Sequence, residues 1–461
     1  MAINLEKAIS TISSIIPKDV LWIIDELEKN GFEGYAVGGC VRDSILNLKP
    51  KDWDITTSAK PEDVKRIFKK TIDTGLKHGT VTVRRSGESF EVTTYRIDGE
   101  YSDGRHPDNV IFTNSLLEDL KRRDFTINAM AYNPKTGIVD EFGGVEDLKN
   151  RIIRCVGNAK ERFSEDALRI LRAVRFAARF DFEIEEKTLK AMKELSENLS
   201  LISKERVYSE LDKLLVSDHP EKIRVLYETG VTKVILPEFD EMMNTEQNSK
   251  YHDCNVGEHT IRVVCDIRND HYLRWAALLH DVAKPGCKTT DENKQDHFFG
   301  HAAKGSQMAT SILRGLKVDN KTIDIVQKLV YHHDDFTKAE DADIKSVRRC
   351  VGRVGNDIFP YLLELCKSDA NGKAVYGRES SLNNISNIEK KYKKIIEDGD
   401  AFEIKDLKIT GNDLIKLGMK PGKEIGNTLK MLLDMVLENP SVNTYEKLEE
   451  IVKNNMGKES K

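Results

Sequence analysis

Apolar positions repeat at two different periods along this chain. Over the first 150 residues they form short alternating runs, Tyr35-Ala36-Val37, Thr80-Val81-Thr82-Val83-Arg84 and Phe90 to Arg96, bounded by Gly31, Gly75, Gly79, Gly87 and Gly99. Alternation between glycine turns predicts strands. From about residue 160 the alternation stops and apolar residues return at helical spacing, as in Ala167, Leu168, Leu171, Val174, Ala177 and Ala178. The pattern predicts an α+β fold, a head over 1–150 followed by helical segments at 151–245, 246–400 and 401–461. The third segment is marked by histidine: His252, His259, His271, His280, His297, His301, His332 and His333 are eight of the eleven in the chain. The fourth opens on Lys405-Asp406-Leu407-Lys408-Ile409 and ends in a polar tail, Asn454 to Lys461, predicted to fray.

Charge narrows the partners. Lys and Arg number 72 against 77 Asp and Glu, a net of −5, yet residues 121–180 hold thirteen basic against eight acidic side chains, a local +5. Nucleic-acid contact is therefore expected on local basic faces, that stretch first, with Arg172, Arg175 and Arg179 available for phosphates or simply solvated. The seven cysteines are scattered without a C-x-x-C pair, which predicts reduced thiols and a cytoplasmic protein. Glu6, Lys7, Lys18 and Asp25 interrupt the N-terminal apolar stretches, so neither a signal peptide nor a membrane span is expected.

Two features of the head suggest phosphate chemistry. The strand at Tyr35 runs into Gly38-Gly39 and then a helical stretch containing Arg42; such a turn is either a tight reversal or an anion cradle of backbone N–H groups. Downstream, Lys51-Asp52-Trp53-Asp54-Ile55 places two carboxylates at i and i+2, hence on one face of an extended segment. Paired carboxylates repel, and a divalent cation relieves them; the alternative is a solvated surface pair. Glu91 alternates outward from Phe90 and Val92 and is a candidate third acid. In the expected helix Glu165 to Arg172, Asp166 and Arg169 are i and i+3 neighbours. Together they form either an ordinary salt bridge or an acceptor–donor pair that mimics a base edge.

The ordered series GGCVRD, KDWDITT, TGLKHGTVTV, EVTTYR, LKRRDFTINAMA, VDEFGGVEDL and ERFSEDALRILRAVRFAARF resembles the class II tRNA nucleotidyltransferases, the bacterial CCA-adding enzymes and their poly(A) polymerase relatives. The resemblance implies a polymerase-β-like palm followed by helical neck, body and tail, and addition of CCA to tRNA from CTP and ATP. By it, Asp52 and Asp54 bind catalytic Mg2+ with Glu91 as a further acid, and Gly38, Gly39 and Arg42 contact the triphosphate. Arg122, Arg123, Asp124 and Asn128 then serve phosphate and sugar recognition, Asp166 and Arg169 select the base, and Glu165 orients the arginine. The polar loop Asp98 to Asp108 resembles the segment that switches such enzymes from C to A addition.

In the histidine-rich segment, His280-Asp281 lies on an apolar stretch, where burying both side chains is costly without compensation. With His259 and Asp369 it resembles the HD phosphohydrolases, which implies a divalent transition metal held by His259, His280, Asp281 and Asp369, with His301, His332 and His333 matching the further histidines of phosphodiesterase-type members. The leading expectation is CCA addition with an additional HD phosphohydrolase activity. Two alternatives stand beside it: an A-adding enzyme working with a separate CC-adding one, and an RNA-end phosphodiesterase whose head only binds RNA.

Overall fold

Glycine turns cut the head into strands that pair as one sheet. The computed structural model describes residues 5–99, 109–336 and 342–459 and divides into two units, Met1–Pro237 and Glu238–Lys461. The first unit contains β1 (Gly34–Val37), β2 (Ile55–Thr57), β3 (Thr71–Gly75), β4 (Thr80–Arg85), β5 (Glu88–Thr94), β6 (Arg96–Asp98), β7 (Val110–Phe112), β8 (Ala131–Asn133) and β9 (Gly137–Val139). Seven of them form a sheet in the order β3-β4-β5-β2-β1-β8-β9, while β6 and β7 pair separately. Only β2 and β5 run parallel, with Ile55 opposite Val92 and Thr56 opposite Thr93; the other neighbours are antiparallel. The Lys18–Lys29 helix packs on β1 and buries Val20, Ile23, Ile24 and Leu27 at i, i+3, i+4 and i+7, the apolar stripe a surface helix needs.

The Leu168–Phe180 helix follows, packed mainly against the Lys204–Leu215 helix, and its apolar face buries Leu168, Ile170, Leu171, Val174 and Ala177. Its arginines are tied down one by one: Arg172 to Asp124 at 2.6 Å, Arg175 to Glu210 at 2.6 Å and Arg179 to Asp43 at 2.9 Å. The continuous helix expected over Glu165–Arg172 is interrupted. One helix ends at Glu165, Asp166 is extended (φ −145°, ψ 101°), and the next begins at Leu168. The cause is local: Asp166 Oδ1 accepts the Leu168 N–H at 3.0 Å, an i to i+2 bond that competes with helical bonding.

The second unit is helical, with helices Val256–Asp266, His271–Leu279, His301–Gly315, Asn320–His332, Ile344–Val354, Phe359–Gly372 and Val375–Glu397, and with Trp275, Leu278, Leu329 and Leu362 in its interior. A smaller apolar cluster of Leu407, Ile409, Leu414, Leu432, Val436, Leu448 and Val452 closes the C-terminal part. Anchored there by Leu448 and Val452, the last helix runs Tyr445–Glu459, into the stretch expected to fray. Among the described residues no helix is long and apolar enough to cross a membrane.

The Asp124–Arg172 pair offers a test of how the head is fastened to this helix. Burial alone raises the Asp124 pKa, but Arg172, the Asn128 amide and Arg169 outweigh it and hold the carboxylate well below its usual range. A depressed native pKa contributes stability above the unfolded value, about 3.9, that is lost as pH falls. Asp124→Asn is expected to cost about 3 kcal/mol at neutral pH, because it leaves the Arg172 guanidinium without its charge partner. The deficit should hold down to about pH 4 and narrow only below it, measured as hydrogen exchange of the Leu168–Phe180 amides.

Candidate functional site

Strand pleating sets the acidic cluster. Trp53 is buried, at 8% exposure, and its neighbours Asp52 and Asp54 point outward just before β2. The Val37 N–H donates to the Asp54 carbonyl at 2.9 Å, fixing this edge to β1. Because β2 and β5 are parallel with Ile55 opposite Val92, Asp54 comes level with the exposed Glu91. Partial burial and the Glu91 carboxylate push Asp54 up from the ordinary range, Arg123 pulls it down, and Asp52 adds to the rise. Three acids thus share one electrostatic environment, the arrangement that suits a hard divalent cation.

Beside them β1 runs into Gly38, whose φ of +78° favours glycine, before the Gly39–Ile45 helix. A side chain there would also meet Arg123 Nη1 at 3.0 Å. The Arg123 guanidinium therefore lies against the glycine turn while its charge acts on Asp54. It is steadied by Asp119, which lies 3.4 Å from Arg123 and 2.7 Å from Arg122 and accepts from the Thr56 hydroxyl at 3.1 Å. Asp119 was missed in the sequence although it stands at i+3 and i+4 from both arginines, the spacing that signals helical ion pairs. Arg122 also approaches Asp98 at 3.6 Å. The tip of the loop expected to switch base choice, residues 100–108, lies outside the described residues.

Arg42 is buried in the wall behind the turn. It donates twice to Asp43, at 2.8 and 2.7 Å, and to the Asn128 side chain, and its guanidinium lies 5.1 Å from the Phe176 ring centroid and 4.9 Å from that of Phe180. Asn128 in turn donates to Asp124 at 3.0 Å. A continuous chain, Arg42–Asn128–Asp124–Arg172, therefore connects the glycine turn to the Leu168–Phe180 helix.

At the helix break, Asp166 and Arg169 do not bridge each other. Asp166 pairs with Arg206 at 2.7 Å, and Arg169 pairs with Glu165 at 2.6 Å while donating to the carbonyls of Arg162 and Arg122 at 3.1 and 3.2 Å. These bonds fix the Arg169 side chain in one position.

In the second unit, helix ends converge on a buried cluster. His259, His280 and Asp369 bring ligand atoms within 4.8 Å of one another, as do Asp281, His301 and His333. Nδ1 of His280, His301 and His333 donates to the carbonyls of Ala277, Phe298 and Val330 at 2.7, 2.8 and 2.7 Å. That orients each ring so that its Nε2 faces inward. His280 Nε2, 3.1 Å from Asp281, is buried without a hydrogen bond, and the Nε2 atoms of His301 and His333 face each other at 3.2 Å. Two imidazole nitrogens at this distance need a proton or a cation between them. His332 turns away, to Asp335 at 2.7 Å. Sequence reading also missed two cations, Lys284 on Asp281 at 2.7 Å and Lys373 on Asp369 at 2.9 Å, at i+3 and i+4 of their partners.

Family models match three stretches of the chain. Residues 34–154 match the Poly A polymerase head domain, 181–243 the RNA and SrmB-binding site of polymerase A, and 289–452 tRNA nucleotidyltransferase domain 2. A CCA-adding enzyme of Streptococcus thermophilus is 35% identical over 433 residues, covering 92% of this chain and 94% of that protein; one of Lactococcus lactis is 36% identical over 427 residues, covering 90% and 91%. The structure resembles that of the Bacillus stearothermophilus CCA-adding enzyme in complex with CTP, with TM-score 0.69, 29% identity and coverage of 96% and 98% of the two chains. It shares its fold with the Thermotoga maritima CCA-adding enzyme complexed with tRNA, with TM-score 0.61, 23% identity and coverage of 99% and 100%. A palm-like sheet with clustered acids, a helical body and similarity to curated relatives over nine-tenths of its length place the chain in the CCA-adding enzyme family of nucleotidyltransferases.

Proposed function

We propose that this nucleotidyltransferase adds C, C and A to the 3′ end of tRNA from CTP and ATP. The observation that carries the reading is the Asp52, Asp54 and Glu91 cluster facing Arg123 and the Gly38 turn. The three carboxylates fit magnesium, because their oxygens are hard donors and their mutual repulsion raises Asp54. Bound there, magnesium supplies a lowered hydroxyl pKa and charge neutralisation on the triphosphate.

The chain's own residues do the positioning. The Gly38–Gly39 backbone and Arg123 hold phosphate oxygens so that the tRNA 3′ hydroxyl meets the α-phosphorus in line and pyrophosphate leaves. Arg42 orders this turn from behind through Asp43 and Asn128. Arg122, Asp124 and Asn128 line the nucleotide's path. Arg169, fixed by Glu165, donates to the ring edge of cytosine or adenine, and Asp166 accepts from the exocyclic amine that both bases share.

A second reading concerns the buried cluster of the second unit: hydrolysis of phosphate esters with a divalent transition metal held by His259, His280, Asp281 and Asp369. It is favoured by the inward-facing Nε2 atoms and by the His280 atom buried without a hydrogen bond. Imidazole and carboxylate donors of this kind suit such an ion.

The direct test is incubation with tRNA lacking CCA, ending in C, or ending in CC, each with separately labelled CTP and ATP; incorporation of C onto the first two and A onto the third is expected, and A addition alone would identify an A-adding enzyme. Asp52→Ala or Asp54→Ala should abolish both additions with tRNA binding nearly unchanged. A turnover above about a tenth of wild type, a barrier change of only ~1.4 kcal/mol, contradicts the assignment. Arg169→Ala is expected to relax discrimination against UTP and GTP more than it weakens triphosphate binding, read from kcat/KM for the four nucleotides. For the second site, His280→Ala and Asp281→Ala should remove metal-dependent hydrolysis of small cyclic phosphates while CCA addition to intact tRNA persists; loss of both activities instead points to a structural ion.

A further inference from the structure

A cavity of about 790 Å³ opens over the histidine cluster of the second unit, and its rim has an unusual composition. Exposed aromatic rings are few in this chain: among the described residues they are Tyr251, Phe299, Tyr331, Tyr376 and Tyr445. Three of these five, Tyr251, Phe299 and Tyr376, line this one cavity. Phe299, at 69% exposure, lies flat against His297 with centroids 5.4 Å apart and planes 8° from parallel, and His297 is itself held by Asp291 at 3.0 Å. Tyr376, at 66% exposure, meets Tyr251 edge-on at 5.8 Å.

The tyrosine pair is built, not incidental. The Tyr251 carbonyl accepts the Ala374 N–H at 2.8 Å, and a side chain at position 377 would sit 2.6 Å from Tyr251 Cδ1, so Gly377 is what lets the ring lie against the helix. Lys250 reaches over both rings, 5.3 and 4.6 Å from their centroids, and donates to the Tyr376 hydroxyl at 3.1 Å. Its ammonium is the rim's anion receptor, whereas Lys284 and Lys373 are engaged by carboxylates on the cavity floor.

Two separate aromatic platforms with a lysine at one of them match a strand of unpaired bases joined by phosphates. Stacking on aromatic faces tolerates any base, and the cation takes the backbone. We propose that this rim seats the unpaired end of a nucleic-acid strand of two or more nucleotides, delivering its terminal phosphate ester to the histidine cluster. The assignment rests on the phosphohydrolase reading for what happens at the cavity floor, but the seating does not need hydrolysis.

The test is photocrosslinking of the full chain, in EDTA, to a short single-stranded RNA carrying 4-thiouridine at its last two positions, with the crosslinked peptides mapped by mass. Crosslinks are expected on peptides containing Tyr251, Phe299 or Tyr376. Phe299→Ala and Tyr376→Ala should each weaken them about tenfold, Tyr376→Phe should retain them, and a dinucleotide should compete about tenfold better than a mononucleotide. Crosslinks to residues 1–237 should be unchanged in these variants. Absence of crosslinks at the rim, indifference to both alanine variants, or equal competition by a mononucleotide overturns the proposal. Failure of the hydrolase reading has a different signature: rim crosslinks intact, with no phosphate ester cleaved by the wild type across several metals.

Discussion

Carboxylates held close by a rigid sheet repel one another, and in the head this repulsion cannot relax. Trp53 is buried, which forces Asp52 and Asp54 outward together, and the parallel pairing of β2 with β5 brings Glu91 alongside. The Val37 to Asp54 backbone bond pins the segment just before β2 to β1 and so holds Asp54 in place. The remaining features follow from that fixed negative charge. Arg123 stands near enough to Asp54 to offset it, beside a turn whose positive φ at Gly38 favours glycine. Asp119, fully buried, must keep the two adjacent arginines from collapsing onto the acids.

The same logic explains why so many arginines can crowd one helix. Residues 121–180 carry a local excess of positive charge, but Arg169, Arg172, Arg175 and Arg179 each have a carboxylate partner. A buried guanidinium needs such a partner, since desolvation penalises it otherwise. Arg172 and Arg179 therefore link this helix to the head through Asp124 and Asp43, and Arg175 ties it to the Lys204–Leu215 helix through Glu210, in place of a solvated row ready for phosphates. The result is a rigid bracket that transmits the position of the Leu168–Phe180 helix to the glycine turn through Asp124, Asn128 and Arg42. Rigidity of this kind matters where a side chain on one element must present donors to a base while another element holds that nucleotide's phosphates.

What could be read in the sequence was what local periodicity encodes. The i, i+2 acids, the outward Glu91, the glycine-bounded strands and the gathering of histidines are all visible within a few residues. Contacts set by tertiary register were not visible. Asn128 reaches Arg42 across 86 positions, so nothing near Arg42 announced that it would be buried. The parallel pairing that brings Glu91 beside Asp54 likewise has no local signature. The helix break at Asp166 was legible in principle, because aspartate readily bonds the backbone two residues on, but apolar periodicity on both sides of it concealed the signal. Lys284 and Lys373 were equally within reach of an i+3, i+4 search around the acids they pair with.

The two units solve the problem of gathering charged ligands by different means. In the head, oxygen donors are exposed on a strand edge and depend on neighbouring cations to restrain them. In the second unit, the donors are buried, and backbone carbonyls orient three imidazoles with Nε2 inward while lysines sit on the two carboxylates. Neutral imidazoles can be buried at far lower cost than carboxylates, so a mostly histidine site can lie at the floor of a cavity where an all-acid site could not. That depth leaves room for a rim with its own selectivity. Aromatic rings around the mouth of the cavity can choose what enters without taking part in the chemistry below, and so binding and reaction at this site can change independently.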